Sequence, residues 1–156
     1  MRHTGPSISP FNAWVLVKSL ETMGMRVEKM SNSAQGLAQY LETCPQIKSV
    51  RYPGLKSHAG YEIAQKQMSG GGSTMGIEFK GSRAEVFTFM NALRIIDISN
   101  NLGDSKSLIT HPASTTHRRL TPEVQAEMGI TDSVLRLSVG LEYAGDLLTD
   151  IERALN

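Results

Sequence analysis

The residues at 134–142, Val-Leu-Arg-Leu-Ser-Val-Gly-Leu-Glu, carry the clearest chemical signal in this chain. Apolar side chains alternate with Arg136 and Ser138, and this period of two is typical of a strand with one buried face. Arg136 would then stand in mid-strand, opposite the core, at a fixed height and angle. A guanidinium held in this way is well suited to bind a carboxylate through two hydrogen bonds. The alternative is an arginine that covers a solvated sheet face or pairs with an acid.

Two polar stretches would lie within reach of this strand in any compact arrangement. Residues 101–109 and 111–117 are both dense in small polar side chains and turn residues. Together they could line a pocket for a small zwitterion. The alternative is that both are ordinary loops, with local hydrogen bonds from side chains to the backbone.

Other signatures of chemistry are weak. The glycines at 70–72 lead into a strand, whereas a phosphate-binding loop leads into a helix N-terminus. The histidines are scattered, with no His-x-x-x-His or Cys-x-x-Cys spacing, and we expect no metal site. No Gly-x-Ser-x-Gly turn indicates a nucleophilic serine. The arginine in the strand is therefore the strongest candidate for a functional residue.

Composition is that of a soluble globular domain. The chain has 156 residues, of which 40% are apolar and 20% charged, and its net charge is +1. These values do not favour a nucleic-acid or membrane partner. The lone cysteine, Cys44, fits a reducing cytoplasm, and no apolar run reaches the roughly 18 residues that a membrane span needs. We expect no secretory signal, and the abrupt start at residues 1–6 suggests a piece of a longer protein.

The elements that would position Arg136 follow from capping signals and hydrophobic periodicity. Ser9 and Pro10 begin a helix that bends near Gly24, and a second helix stops before Pro45. The remaining signals predict strands at 47–52, 74–79, 95–98, 107–110 and 134–142, helices at 61–68, 82–93, 121–129 and at the C-terminus, and a loop at 111–119. This order predicts an α+β fold (an α/β sandwich), with a small, mainly antiparallel sheet and helices on one face.

Several short motifs occur together in one order along the chain. They are Gly5-Pro6, the residues Ser-Pro-Phe-Asn-Ala-Trp at 9–14, Leu20-Glu21-Thr22, Tyr52-Pro53-Gly54-Leu55, Leu102-Gly103, Ser107-Leu108-Ile109, His111-Pro112-Ala113-Ser114, Thr116-His117 and the strand at 136–142. Through these motifs the chain resembles the C-terminal part of the pyridoxal-phosphate (PLP) enzymes of cysteine and methionine metabolism. That family includes cystathionine γ-synthase, the cystathionine lyases, methionine γ-lyase and the homoserine-ester sulfhydrylases. The resemblance implies the C-terminal domain fold of fold-type I PLP-dependent transferases.

Within this family the chain most resembles the O-succinylhomoserine sulfhydrylases. Asn101 stands where the lyases and synthases typically have a serine. The resemblance implies a transferase of methionine biosynthesis that makes homocysteine by γ-replacement, in which sulfide displaces the succinyl or acetyl group of a homoserine ester. It also implies a homo-oligomer, with no nucleic-acid or membrane partner.

The resemblance assigns roles to three residues. Arg136 matches the arginine that grips the α-carboxylate of the substrate. Asn101 occupies a position beside that carboxylate and the cofactor lysine, and Thr116 matches a threonine near the active site. PLP binds to the preceding large domain in this family, and the Schiff-base lysine and the other cofactor-binding motifs have no match here. We therefore assign no catalytic or cofactor-binding residue and expect the chain alone to be inactive.

The implied division is an interdomain helical segment at 1–44 and a substrate-side α+β domain at 45–156. The first helix is apolar nearly all round, so in isolation it would leave an exposed apolar patch and favour self-association. One alternative is a free-standing, non-catalytic α+β module for binding or oligomerisation. Another is a fragment of a cystathionine γ-synthase or lyase.

Overall fold

The structure is a computed structural model that describes residues 7–156. Gly5-Pro6 and the first residues of the predicted segment 1–44 lie outside the described residues. The elements in chain order are α1 (Pro10–Leu20), α2 (Met23–Thr43), β1 (Ile47–Arg51), α3 (Tyr61–Gln67), β2 (Thr74–Phe79), α4 (Arg83–Ala92), β3 (Asp97–Ile98), β4 (Leu108–Thr110), a 3-10 turn (Pro112–Ser114), α5 (Pro122–Glu127), β5 (Val134–Ser138) and α6 (Ala144–Leu155).

The strands form one sheet in the order β1-β2-β5-β4-β3. Neighbouring strands are antiparallel, except for β3 and β4, which are parallel. The strand that carries Arg136 is therefore the central one. This sheet confirms the predicted α+β class with mainly antiparallel pairing.

One face of the sheet packs against the helices. The core is made of apolar side chains from β1, β2, β4 and β5 on one side and from α2, α4 and α6 on the other. Leu135 and Leu137 are fully buried in this core, whereas Arg136 between them is partly exposed on the opposite face. The predicted alternation is confirmed. Burial of side chains of this size contributes about 1.5–3 kcal/mol each, which fixes the strand and with it the height of the arginine.

Capping residues begin three of the helices, as predicted. Ser9 accepts a hydrogen bond from the backbone N–H of Asn12 at 3.2 Å. Ser82 and Glu85 form a reciprocal capping box at the start of α4. Thr121 caps α5. These local signals are sufficient to place the helices in the sequence.

Most predicted boundaries differ from the structure by one or a few residues, and β5 ends at Ser138, before the predicted residue 142. Three other differences have a physical reason. The first helix ends at Leu20 and Gly24 lies inside α2, because a glycine without a competing contact does not by itself end a helix. The strand predicted at 95–98 is reduced to Asp97–Ile98, because the backbone N–H groups of Ile95 and Ile96 bond to the Asp150 carboxylate. The predicted loop at 111–119 contains a 3-10 turn, which the His111 side chain caps.

Helix α1 has no buried residue. Its large apolar side chains are exposed, with Phe11 at 69% and Trp14 at 57%. The exposed apolar patch predicted for the first helix is therefore present on this chain. No helix within residues 7–156 has the length and apolar character needed to cross a bilayer.

Candidate carboxylate-binding site

Arg136 lies in the middle of the central strand, on the face turned away from the helices. In the register of the sheet it is opposite Gly76 on β2 and Thr110 on β4. Gly76 has no side chain, and the nearest atoms that a Cβ there would meet are those of the Arg51 side chain, at 3.5–4.0 Å. Arg51 therefore lies beside Arg136 on the β2 side.

The guanidinium of Arg136 is oriented by backbone carbonyls. Its Nη2 atom donates to the carbonyl oxygen of Asn100 at 2.6 Å and to that of Asn101 at 3.2 Å. Its Nε and Nη1 atoms donate to no group within residues 7–156, and no acid in that range pairs with it. The interpretation in which Arg136 pairs with an acid is therefore wrong for this part of the chain. The remaining N–H groups are available for an anion.

A second arginine, Arg51 on β1, lies in the same cross-strand row as Gly76 and Arg136, but its side chain already has partners. Arg51 donates through Nη1 to the carbonyl of Gly129 at 2.9 Å, and its Nη2 lies 3.7 Å from the Glu78 carboxylate. Glu78 also accepts from Lys48 at 2.9 Å and from Ser49 at 3.1 Å. The hydrogen bond from Lys48, against the opposing effect of burial, holds the pKa of Glu78 below its usual value. The Glu78 carboxylate therefore pairs with two cations, Lys48 and Arg51.

A polar network that the sequence did not predict supports the residues around Arg136. Thr110 Oγ1 donates to the Asn100 side chain at 3.0 Å and lies 3.0 Å from Thr115 Oγ1. Thr115 in turn lies 2.7 Å from the carbonyl oxygen of His111. Thr110 lies directly opposite Arg136 across the β4–β5 pair. Knowledge of this strand pairing would have identified Thr110 as a neighbour of Arg136.

The structure brings together two of the three predicted site residues. Asn101 meets Arg136 through its backbone carbonyl, while its side-chain amide is exposed and bonds to no residue in the described range. Thr116 is exposed, and its hydroxyl lies 2.8 Å from Nδ1 of His117. No hydrogen bond within residues 7–156 links Thr116 to Arg136. The roles of all three residues in substrate binding stay predictions.

A pocket of about 250 Å³ lies beside the polar network and is lined by Phe87, Met90, Asn91, Ile98, Thr110, His111, Ser114 and Thr115. Another, of about 440 Å³, lies elsewhere, against the end of β2, α4 and the C-terminus. Arg136 lines neither of these two pockets. No three metal-binding side chains come together within residues 7–156.

Comparison with known proteins gives a consistent result. The family model for Cys/Met metabolism PLP-dependent enzymes matches residues 1–156. The chain is 51% identical to an O-succinylhomoserine sulfhydrylase of Mycobacterium tuberculosis, over 100% of this chain and 39% of that protein. It is 46% identical to an O-succinylhomoserine sulfhydrylase of Pseudomonas aeruginosa, over 99% of this chain and 38% of that protein. The structure of cystathionine gamma synthase from Xanthomonas oryzae pv. oryzae matches with a TM-score of 0.89 and 39% identity, over 94% of this chain and 38% of that chain. The chain thus spans well under half the length of these relatives.

Proposed function

Because the chain belongs to the family of Cys/Met metabolism PLP-dependent enzymes, we propose that it is the substrate-side part of an O-succinylhomoserine or O-acetylhomoserine sulfhydrylase. Such an enzyme makes homocysteine by γ-replacement, with sulfide entering as the ester group leaves. Identity of 46–51% to curated O-succinylhomoserine sulfhydrylases supports the sulfhydrylase assignment. The role of this chain is to bind the α-carboxylate of the amino-acid substrate.

The observation that carries this proposal is the geometry of Arg136. Its strand is fixed by core packing on one face, and its Nη2 atom is fixed by the carbonyls of Asn100 and Asn101. The Nε and Nη1 donors remain without a partner among the described residues, and one of them can donate to the substrate carboxylate. The Asn101 amide is exposed, and its backbone carbonyl meets Arg136, so it is a candidate for a further donor; Thr116 remains a more distant candidate.

The described residues do not fit PLP as a bound group. PLP acts as an electron sink in amino-acid chemistry and is held through a lysine. All seven lysines are exposed: Lys18, Lys29, Lys48, Lys56, Lys66, Lys80 and Lys106. Of the two pockets described above, only the larger is lined by a lysine, Lys80, and its ammonium donates to the carbonyl of Pro45 at 2.7 Å. We therefore propose that the cofactor is held by a part of the protein outside this chain.

The proposed division places an interdomain helical segment at 1–44 and the substrate-side domain at 45–156. The exposed side chains of α1, among them Phe11, Trp14 and Leu16, support a contact role for the first segment. An apolar surface of this kind is unfavourable in water and is relieved by association. It would contact the cofactor-bearing part of the enzyme and the neighbouring subunit of a homo-oligomer.

A chimera tests the proposed activity. The chain replaces the matched 38% of the Pseudomonas aeruginosa relative, which supplies the rest of the enzyme. The assay measures homocysteine formed from sulfide and O-succinylhomoserine or O-acetylhomoserine. We expect turnover of at least one ester, and the ratio of kcat/KM values identifies the preferred one. A chimera that carries PLP and acts only in cystathionine synthesis or methionine elimination would support a γ-synthase or lyase instead, and one that carries PLP without activity would support a non-catalytic module.

A conservative substitution tests the role of Arg136 in the same chimera. Lysine keeps the charge but has no planar guanidinium that the two carbonyls could orient while other donors face the substrate, so Arg136→Lys should lower kcat/KM about ten- to hundredfold. Arg94→Lys is the matched control, because Arg94 is exposed and its side chain bonds to no described residue. Equal kcat/KM values in the two variants would refute carboxylate binding by Arg136. The isolated chain should retain no PLP absorbance after mixing with cofactor and desalting.

A further inference from the structure

Alternate residues of β5 and of the segment after it contact one loop, residues 100–107, which leads into β4. Arg136 donates to the carbonyls of Asn100 and Asn101 at the start of the loop. Two residues further along, the Ser138 hydroxyl accepts from the backbone N–H of Gly103 at 2.9 Å. The loop therefore follows the strand, with one contact for each outward-facing residue.

Gly140 continues this series by close backbone approach. A Cβ at position 140 would lie 2.4 Å from the carbonyl oxygen of Ser105 and 2.5 Å from the carbonyl carbon of Lys106. Only glycine allows the loop to lie so near. The backbone N–H of Gly140 also donates to the Ser107 hydroxyl at 2.9 Å, and that of Leu141 to the Ser105 carbonyl at 2.8 Å.

Glu142 holds the end of the loop. Its Oε1 accepts from the backbone N–H of Ser107 at 2.6 Å, and its Oε2 accepts from the Ser107 hydroxyl at 2.8 Å. Ser107 is fully buried, and hydrogen bonds to a carboxylate are stronger than those to a neutral acceptor. No cation within residues 7–156 pairs with Glu142, so both of its oxygens serve the loop.

The rest of the loop has little other support. Residues 101–106 are exposed. The Asp104 carboxylate bonds within the loop, to Ser105 and to the backbone N–H of Lys106. Lys106 forms an exposed ion pair with Asp97 at 3.3 Å, and such pairs contribute little. Its two ends have further bonds, from Thr110 to the Asn100 side chain and from the backbone N–H of Asp97 to the Ser107 carbonyl, but between them the loop is held mainly by the contacts from residues 136–142.

We propose that Ser138, Gly140 and Glu142 are positioning residues, which hold the loop 100–107 so that its first two carbonyls orient Arg136 and Asn101 stays beside it. This inference rests on the proposed function, because it deepens the account of the same carboxylate site. It gives a structural role to the residues after Arg136 as far as Glu142, although Arg136 is the one residue of this stretch that is proposed to bind the carboxylate. A residue six positions away then acts on the guanidinium through the loop.

The test uses the ¹⁵N-labelled chain and needs neither cofactor nor substrate. Glu142→Ala removes both acceptors, Glu142→Gln keeps one, and Glu62→Gln is a control on α3, where the side chain is exposed and bonds to no described residue. NMR measures amide hydrogen exchange together with the Nε–Hε signal of Arg136. Glu142→Ala should raise exchange at Ser107 and Gly103 about ten- to hundredfold and shift the Arg136 signal, with Glu142→Gln in between.

Amides of β2 and β5 should keep their exchange rates in both Glu142 variants. The proposal is overturned if exchange rises equally in the loop and in the sheet, or if Ser107 is freed while the Arg136 signal does not move. If Glu142→Ala does not fold, Ser138→Ala gives the same test through Gly103, with the same two readouts. If the Glu142 variants do not shift the Arg136 signal, the positioning proposal fails but carboxylate binding by Arg136 is not affected. If Arg136→Lys and Arg94→Lys have equal kcat/KM values, carboxylate binding is refuted but the loop contacts are not affected.

Discussion

Asp150 on α6 connects the helical layer to the segment that leads into the site. Its buried carboxylate accepts hydrogen bonds from the backbone N–H groups of Arg94 and Ile95, each at 2.9 Å, and of Ile96 at 3.1 Å. Arg153 adds a bond at 2.5 Å. This side chain therefore takes the place of strand pairing just before β3, and β3 is followed directly by the loop that orients Arg136.

Removal of this carboxylate lowers the free energy of unfolding, because the backbone N–H groups that bond to it lose their partner. A buried donor left unpaired costs about 1–3 kcal/mol. The N–H of Ile96 is buried and should reach the upper part of that range, while those of Arg94 and Ile95 are partly reached by water. We expect Asp150→Ala to lower the free energy of unfolding by about 3–5 kcal/mol. Asp150→Asn keeps the size but turns an NH₂ group towards donors, and should cost about 2–3 kcal/mol.

Urea unfolding at neutral pH, followed by circular dichroism at low protein concentration, measures both values. Asp146→Asn is the control, since Asp146 is an exposed acid on the same helix, and it should cost less than about 1 kcal/mol. If Asp150→Ala were within about 1 kcal/mol of the original chain, with an unchanged m value, the proposed role of the carboxylate would be refuted.

The same residue predicts a pH dependence. Burial alone would raise the pKa of Asp150, but the hydrogen bonds from Ile95, Arg94, Ile96 and Arg153 outweigh it and hold the pKa below its ordinary value. The folded chain therefore binds this proton less tightly than the unfolded chain does. Its contribution to stability is complete above the unfolded pKa of about 4 and is lost as pH falls through the folded pKa. The stability difference between the original chain and Asp150→Asn should shrink below about pH 4.

Three further predictions concern other parts of the chain. Gly71→Ala places a Cβ 2.4 Å from Cζ of the fully buried Tyr52 ring, and urea unfolding should show a loss of about 1–3 kcal/mol. Lys48→Met removes the leading hydrogen bond to Glu78, so NMR titration should show the pKa of Glu78 rising towards its usual value, and an unchanged pKa would contradict that cause. The chain should self-associate at high concentration through α1, and replacing Trp14 with serine should weaken this, whereas light scattering that shows a compact monomer of the original chain would contradict the contact role of α1.

Much of the fold could be predicted because its signals are local. The caps at Ser9, Ser82 and Thr121 and the alternation around Arg136 each depend on a few neighbouring residues. The strand order could not be read in this way, because pairing joins residues far apart in the sequence. The Ile95–Asp150 contact is of the same kind, since the two residues are 55 positions apart, and it shortened the strand predicted there.

The same difference between local and long-range signals applies to the candidate site. Arg136 and Asn101 were identified through motifs, and the structure places them together. Asn100 and Thr110 were missed, and Thr115 was included only as part of the polar stretch 111–117, because their network exists only once β4 lies beside β5 and the 3-10 turn folds back. Thr115, and not Thr116, joins this network. A motif can assign a role to a position, but it does not show which neighbouring side chain the backbone turns inwards.

The place of Arg136, on the face of the sheet turned away from the helices, suggests how labour would be divided in the proposed enzyme. An α-carboxylate is common to every amino acid, and the proposed role of this chain is to bind that group alone. Under this proposal, discrimination between succinyl and acetyl esters, or between sulfide and another nucleophile, would fall to whichever surface covers that face. Enzymes that catalyse different reactions could then share this unit almost unchanged and diverge in the part that covers it.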